Sequence, residues 1–215
     1  MSSNDMRAAR NAMVDSQVRT DDVTDPVLTA AMRAVPREDF VPQALASVAY
    51  MGEAVEVAPG RFLLDPRAFA KLTQLSGLKA GETVLDVGGA TGYSAAVFAA
   101  LGARVTALES DPALAEAAKA RAGAGIEVVT GALAAGYAQK APFDVIFLNG
   151  AIPARPDALL EQLAPGGRLV GIVTDRGVGK AHIFLKSVGG HSSRIAFDAA
   201  APALPGFEPV PSFVF

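Results

Sequence analysis

The 215-residue chain contains no cysteine. That absence excludes disulfides, thiol catalysis and cysteine-ligated zinc together. Histidine is almost as scarce. His182 and His191 are the only two, too few for a typical metal cluster and without ligand spacing to acids, so no metal is expected. There is no run of lysine or arginine. A formal net charge of −3 and a pI near 5.4 supply no basic field of the kind nucleic-acid binding requires. No apolar stretch approaches the roughly 18–20 residues that would span a bilayer. Residues 1–19 are polar and mixed in charge and lack the apolar core of a secretory signal. These absences lead to the expectation of a cytoplasmic protein without nucleic-acid or membrane partners. Its oligomeric state is not legible.

Hydrophobic residues make up 51% of the chain and charged residues 19%, which suits one sizeable soluble domain with a substantial core. The first dozen residues read as a loose tail. Asp25-Pro26 then opens a helix, with Asp25 as N-cap and Pro26 at the first helical position. Val27, Leu28, Ala31, Met32 and Val35 share its apolar face, and Pro36 ends it. Residues 50–66 read as irregular around the turn signal Pro59-Gly60, and a helix is expected over 67–75, closed by Gly77. From Glu82 onward strands alternate with helices. Strands are expected at 83–87, 104–108, 126–129, 144–148 and 168–173, with a further pair near 181–186 and 193–198. Helices are expected at about 92–101, 112–121 and 156–163. This order implies an α/β three-layer sandwich around a mostly parallel sheet. Residues 1–76 read as an N-terminal helical extension with a substrate-side loop, and residues 77–215 as the catalytic domain of one compact unit. The C-terminal Phe207, Phe213 and Phe215 are expected to complete the core or cover a sheet edge.

The run Thr83-Val84-Leu85-Asp86-Val87-Gly88-Gly89-Ala90-Thr91-Gly92-Tyr93 carries the chemistry. It reads as a buried strand ending in an acid, a glycine turn and the start of a helix. A second strand ends in Glu109. Ligands of open α/β sheets sit at the carboxyl ends of the strands. Gly88, Gly89 and Gly92 let the backbone approach a ligand, and the helix start favours a carboxylate. Asp86 suits an α-amino group, and Glu109 suits a pair of ribose hydroxyls. An amino acid carried on a nucleoside, as in S-adenosylmethionine, answers all of these. Tyr93 and Ser110 border the same pocket. Ala132 and Leu133, after the third strand, are placed to flank an adenine ring, while Asn149 at the end of the fourth borders the transfer site. Asp144, at that strand's start, reads as structural. A dinucleotide fits less well, because no G-x-G-x-x-G register exists here; a Walker loop is excluded by the missing Gly-Lys-Ser/Thr.

At this point the chain resembles the protein-L-isoaspartate O-methyltransferases. The likeness runs through Met13-Val14, Gln17-Val18, the block from Ala31 to Pro42, Ala49-Tyr50, Val84 to Gly88, Gly92-Tyr93, Ala141 to Asp144 and Gln162 to Val170. It implies a Rossmann-like methyltransferase sheet with an antiparallel strand near its C-terminus. It also implies S-adenosylmethionine as cofactor and methyl esterification of protein or peptide carboxylates. The chain departs from the family at three places. The family's Gly-Gln-Thr-Ile-Ser-Gln-Pro loop is Gly60-Arg61-Phe62-Leu63-Leu64-Asp65-Pro66, so apolar Phe62 and Leu64 replace both hydroxyls, and no catalytic residue is assigned. The family's Gly-Asp-Gly beside the adenine is Gly131-Ala132-Leu133. Its Gly-Thr-Gly-Ser-Gly loop is Gly88-Gly89-Ala90-Thr91-Gly92. Asp65, if it faced the site, would repel a carboxylate. Arg61 reads as a solvated loop charge, and Arg37 as a structural ion-pair partner. A binding or regulatory module that keeps the fold without methyl transfer is the competing reading.

Overall fold

In a computed structural model of the chain, which describes residues 2–208, the N-terminus is helical rather than loose. Helix α1 spans Ser3–Met13. Its start is a capping box: Ser2 Oγ accepts from the Asp5 amide at 3.2 Å, and Asp5 Oδ2 accepts from the Ser2 amide at 2.8 Å. The sequence reading missed it because aspartate stands where glutamate or glutamine usually completes the box. Met6, Ala9 and Met13 turn toward the core. The helix runs on through a π-turn at Val14–Val18 and a 3-10 turn at Arg19–Asp21, until Asp22 adopts a left-handed conformation.

Helix α2 (Pro26–Ala34) forms as expected, with Asp25 Oδ1 accepting from the amides of Val27 and Leu28. Of its expected apolar face, Val27 stays exposed while Leu28, Ala31, Met32 and Val35 are buried. The stretch expected to be irregular contains a hairpin, β1 (Val55–Ala58) and β2 (Arg61–Leu63), folded about Pro59-Gly60. Helix α3 (Pro66–Ser76) follows. Asp65 is its N-cap, accepting from the amides of Arg67 and Ala68 at 2.9 and 3.0 Å. That role removes Asp65 as a source of repulsion in the site.

The main sheet comprises β3 (Thr83–Val87), β4 (Arg104–Glu109), β5 (Ile126–Thr130), β6 (Phe143–Ile152), β7 (Leu163–Asp175), β8 (Val178–Ser187) and β9 (Gly190–Asp198). Its order is β5-β4-β3-β6-β7-β8-β9. The strands from β5 to β7 are parallel, and β8 runs antiparallel to both β7 and β9. Helices α4 (Tyr93–Ala100) and α5 (Pro112–Lys119) begin where expected. Helix α6 (Asp157–Leu160) is shorter than expected, because Leu163 already pairs with Phe143 as the start of β7.

Alternation along the strands divides the core into two faces. Val84, Val105, Val145, Phe147 and Val170 face a layer that includes α1 to α4. Leu85, Val87, Leu108, Ile146 and Leu148 face α6, Leu133 and Leu204. Each such side chain contributes about 1.5–3 kcal/mol by leaving water. Phe207 packs partly buried on the second face, while Phe213 and Phe215 lie outside the described residues. The chain winds outward through β3, β4 and β5, then returns to β6 on the other side of β3. This reversal places the crevice beyond the carboxyl ends of β3, β4 and β6. Among the described residues no helix is long and apolar enough to cross a membrane.

Candidate functional site

Asp86, near the end of β3, is fully buried and internally satisfied. Asn149 Nδ2 donates to its Oδ1 and Ser94 Oγ to its Oδ2, each at 2.6 Å. Asn149 also donates to the Val87 carbonyl at 3.1 Å. Burial pushes the Asp86 carboxyl up to about 6, opposed by the hydrogen bonds from Ser94 and Asn149 and reinforced by the charge of Glu109. The turn closes over this acid. A Cβ at Gly89 would lie 2.6 Å from Asp86 Oδ2 and 2.7 Å from Ser94 Oγ, so a side chain there is excluded. Gly92, at φ +95°, is the N-cap of α4. Ser94, whose hydroxyl donates to Asp86, lies on the first turn of that helix. The helix N-terminus expected to serve a ligand carboxylate therefore already faces a carboxylate of the chain.

Glu109 ends β4 and is 2% exposed. Its Oε1 accepts from the amides of Ser110 and Asp111 at 2.6 and 3.0 Å, and its Oε2 accepts from the Ala90 amide at 3.0 Å. Ala90 reaches this position with φ +52°, a left-handed conformation that costs an alanine about 1–2 kcal/mol. The other donors to Glu109 are the Ser110 hydroxyl, at 3.3 Å from Oε1, and Arg61. Arg61 Nη2 donates to Oε2 at 2.6 Å, and Nη1 donates to Oε1. Arg61 Nη2 also donates to the Gly88 carbonyl at 3.0 Å. Arg61 is 6% exposed, which corrects its reading as a solvated loop charge. On β2 the side chains of Arg61 and Leu63 point inward while Phe62 is half-buried. An inward arginine needs a partner, and the strand-end acid is within reach.

The space beside the glycine turn is filled as well. A Cβ on Gly88 would lie 2.5 Å from Leu204 Cδ1, 3.2 Å from Leu133 Cδ1 and 3.3 Å from Arg61 Nη2. Leu204 is held there by hydrogen bonds of residues 202 and 204 with Ala151, each 2.8 Å. Leu133 is buried at the turn while its neighbour Ala132 is exposed. Ser110 is exposed beside Glu109.

The remaining sequence candidates separate clearly. The Tyr93 side chain is buried between Phe40 and Phe69, with ring centroids at 5.7 and 5.4 Å. It packs the core beneath the turn, so the expectation that it borders the pocket is corrected for the side chain. Among the described residues Arg37 is buried without a carboxylate partner, correcting the expected ion pair. Its Nε donates to the Ala49 carbonyl and its Nη2 to the Leu64 carbonyl, both at 2.7 Å, and its guanidinium carbon lies 4.8 Å from the Tyr93 ring centroid. Burial pulls its pKa below the usual arginine value. Leu64 itself is buried in the core. Asp144 Oδ2 accepts from the Thr83 amide and hydroxyl at 2.8 Å, a structural clasp between strand starts. His182 stacks on Phe184, and His191 Nε2 lies 3.0 Å from the Leu160 carbonyl.

Sequence reasoning left out Ser94 and Leu204, and gave Arg61 no place in the site. Ser94 had a usable signal, since it lies on the first turn of the helix that begins beside Asp86. Leu204 had none, because its approach depends on the path of the chain after β9.

Comparison with known proteins adds the following. The family model for protein-L-isoaspartate(D-aspartate) O-methyltransferase matches residues 8–196. A protein-L-isoaspartate O-methyltransferase of Methylorubrum populi is 42% identical over 166 residues, 76% of this chain and 78% of the relative. Another from Methanoculleus marisnigri is 38% identical over 180 residues, 82% of each. Among solved structures, a Plasmodium falciparum protein assigned to the same activity, in complex with S-adenosyl-L-homocysteine, superposes with a TM-score of 0.79 at 17% identity. That match spans 92% of this chain and 98% of the other, and establishes likeness of fold.

Proposed function

This chain belongs to the protein-L-isoaspartate(D-aspartate) O-methyltransferase family, and we propose that it methylates protein or peptide carboxylates, isoaspartyl groups foremost, with S-adenosylmethionine as the donor. The observation that carries this reading is the pair of acids at the carboxyl ends of adjacent parallel strands, Asp86 on β3 and Glu109 on β4, with a turn after β3 that has no room for a Cβ at Gly88 or Gly89. The chemistry of this donor set fits the cofactor. Glu109 is the acceptor for the ribose hydroxyls. Asp86, with Ser94 and Asn149, forms the polar floor on the amino-acid side, and Gly88, Gly89 and Gly92 give the close approach. Leu133 is the apolar wall for the adenine. Ala132, Ser110 and the main chain of Tyr93 stand at the margins.

When bound, the cofactor supplies a methyl group on a positively charged sulfur. The chain has little proton chemistry to perform, because an aspartyl-type carboxylate, with a reference pKa of about 3.9, is already ionised at neutral pH. What remains is to orient that carboxylate and to exclude water. The β1–β2 hairpin and the segment up to α3 border the crevice through Arg61, and Arg37 fixes the path of that segment through the Leu64 carbonyl.

A second reading, a methyl acceptor other than the isoaspartyl group, is favoured by one observation. Phe62 and Leu64 provide no hydroxyl to orient a carboxylate. The two readings part in one assay. Labelled S-adenosylmethionine is offered with an isoaspartyl peptide and with its aspartyl counterpart. Base-labile label on the isoaspartyl peptide alone supports the first reading. Absence of label at saturating donor, with donor binding intact, rules it out in favour of the second.

A further inference from the structure

We propose that Arg61 sets the cofactor affinity of this chain: its guanidinium stands at the ribose position on Glu109, Leu204 lies over Gly88, and the nucleoside binds by displacing both. This inference rests on the S-adenosylmethionine reading of the site.

The acceptor count makes the point first. A carboxylate offers about four lone-pair directions. On Glu109 these directions are crowded by the amides of Ala90, Ser110 and Asp111 from the two turns, by both terminal nitrogens of Arg61 and, at 3.3 Å, by the Ser110 hydroxyl. A vicinal diol needs two of these directions. The backbone donors are fixed by the turns, so the exchangeable bonds are the two short ones from Arg61 and the longer one from the Ser110 hydroxyl. The volume leads to the same conclusion. Arg61 Nη2 and Leu204 Cδ1 both stand within 3.3 Å of where a Cβ of Gly88 would be, on the surface that a nucleoside must approach.

The two occupants also sit on the parts of the fold best able to withdraw. Glu109 and Gly88 flank central parallel strands with neighbours on both sides. Arg61 is carried by a three-residue strand whose sole ladder among the described residues is with β1, outside the main sheet and interrupted by a register shift between Glu56 and Ala58. A hairpin of two short strands is marginal on its own. Leu204 follows a single isolated bridge between Ala151 and Ala203. Withdrawal returns the guanidinium and the Gly88 carbonyl it held to water, and the ribose hydroxyls replace its two hydrogen bonds to Glu109. The apparent affinity is the intrinsic affinity multiplied by the fraction of molecules in which the position is free.

The test is calorimetric titration of S-adenosyl-L-homocysteine into the full chain and into Arg61→Gln, Leu204→Ala and Glu109→Gln variants, with thermal unfolding of each as a check of folding. Glutamine is the family's residue at this loop position. Arg61→Gln is expected to bind ~10–100-fold more tightly than the parent, as follows if the position is free in about 1–10% of parent molecules. Leu204→Ala is expected to gain severalfold, and Glu109→Gln to lose affinity because the ribose acceptor goes with the arginine partner. Equal affinity in the parent, Arg61→Gln and Leu204→Ala overturns this proposal and leaves the cofactor reading standing. Absence of binding in every folded variant overturns both. Should Arg61→Gln fail to fold, Leu204→Ala decides together with hydrogen exchange of residues 55–63 in the parent. The ligand must speed that exchange, and unchanged or slower exchange refutes displacement.

Discussion

Arg37 and Arg61 are both buried guanidinium groups contributed by the N-terminal part of the chain, yet their surroundings differ in kind. Arg37 is held by neutral groups, two carbonyls and the face of Tyr93. Nothing that binds the crevice carries a better donor for those carbonyls, so Arg37 is a permanent brace between the block around Ala49 and the segment at Leu64. Arg61 is held by the carboxylate of Glu109, which under the proposed reading is the ribose acceptor. A charged partner makes the stronger bond, but here it is also a partner for which a ligand can compete. Strength and permanence are therefore separate properties of a buried arginine.

The largest effect is expected at the brace. Arg37→Ala leaves two buried carbonyls without donors and opens a cavity beside Tyr93, so urea unfolding should show a loss of about 3–5 kcal/mol. A loss under about 1 kcal/mol would break the comparison, since Arg37 would then be dispensable. Arg61→Gln removes the ion pair but leaves Glu109 with three amide donors. Its cost in the ligand-free chain should be about 2–3 kcal/mol, below the full penalty for an orphaned buried charge. Saturating S-adenosyl-L-homocysteine should recover part of it, whereas Arg37→Ala should gain no more than the parent does. Equal ligand stabilisation of both variants and the parent would erase the distinction.

Asp86 sharpens the comparison from the acid side, because its partners Ser94 and Asn149 are neutral. Its carboxyl is raised to about 6 in the folded chain, from 3.8. Between roughly pH 4 and pH 6 the folded chain therefore holds this proton more than the unfolded chain does. The resulting contribution to stability is full below about pH 4 and falls away as pH rises through 6, with a size on the order of 3 kcal/mol. Asp86→Asn keeps an acceptor for Asn149 and a donor for Ser94, so it should flatten this segment of the stability–pH curve. An unchanged slope would mean that Asp86 is not its source. The smallest effect on stability is expected at the exposed side of the hairpin. Phe62→Thr should cost less than about 1 kcal/mol because Phe62 is half-buried, while Leu64→Ser removes a core side chain and should cost about 2–4 kcal/mol. If the missing hydroxyls limit isoaspartyl turnover, Phe62→Thr should raise the rate of methyl-ester formation without changing donor affinity.

The strands and the two acids were legible because they rest on local rules. Runs such as Thr83–Val87 and Arg104–Glu109 are short, β-branched and apolar, and each is followed by turn residues or a helix cap. An acid closing such a strand in a parallel sheet lies at the ligand end regardless of detail. Arg61 was misread because the inward or outward direction of a hairpin side chain depends on register, and register here is set by the pairing of Val55 with Leu63. Beside Pro59-Gly60, a charge has solvent as its default. Leu204 lies 95 residues beyond Glu109 in sequence, so its packing over Gly88 could be found only in three dimensions. The placement of the two acids was therefore readable from the chain, and the packing of Arg61 and Leu204 around them was not.

A crystal structure of the parent chain with saturating S-adenosyl-L-homocysteine tests the central claim most directly. The account predicts ribose hydroxyls hydrogen-bonded to Glu109, with the Arg61 guanidinium withdrawn from both carboxylate oxygens and Leu204 moved off Gly88. A nucleoside bound while the Arg61–Glu109 pair remains intact would contradict it.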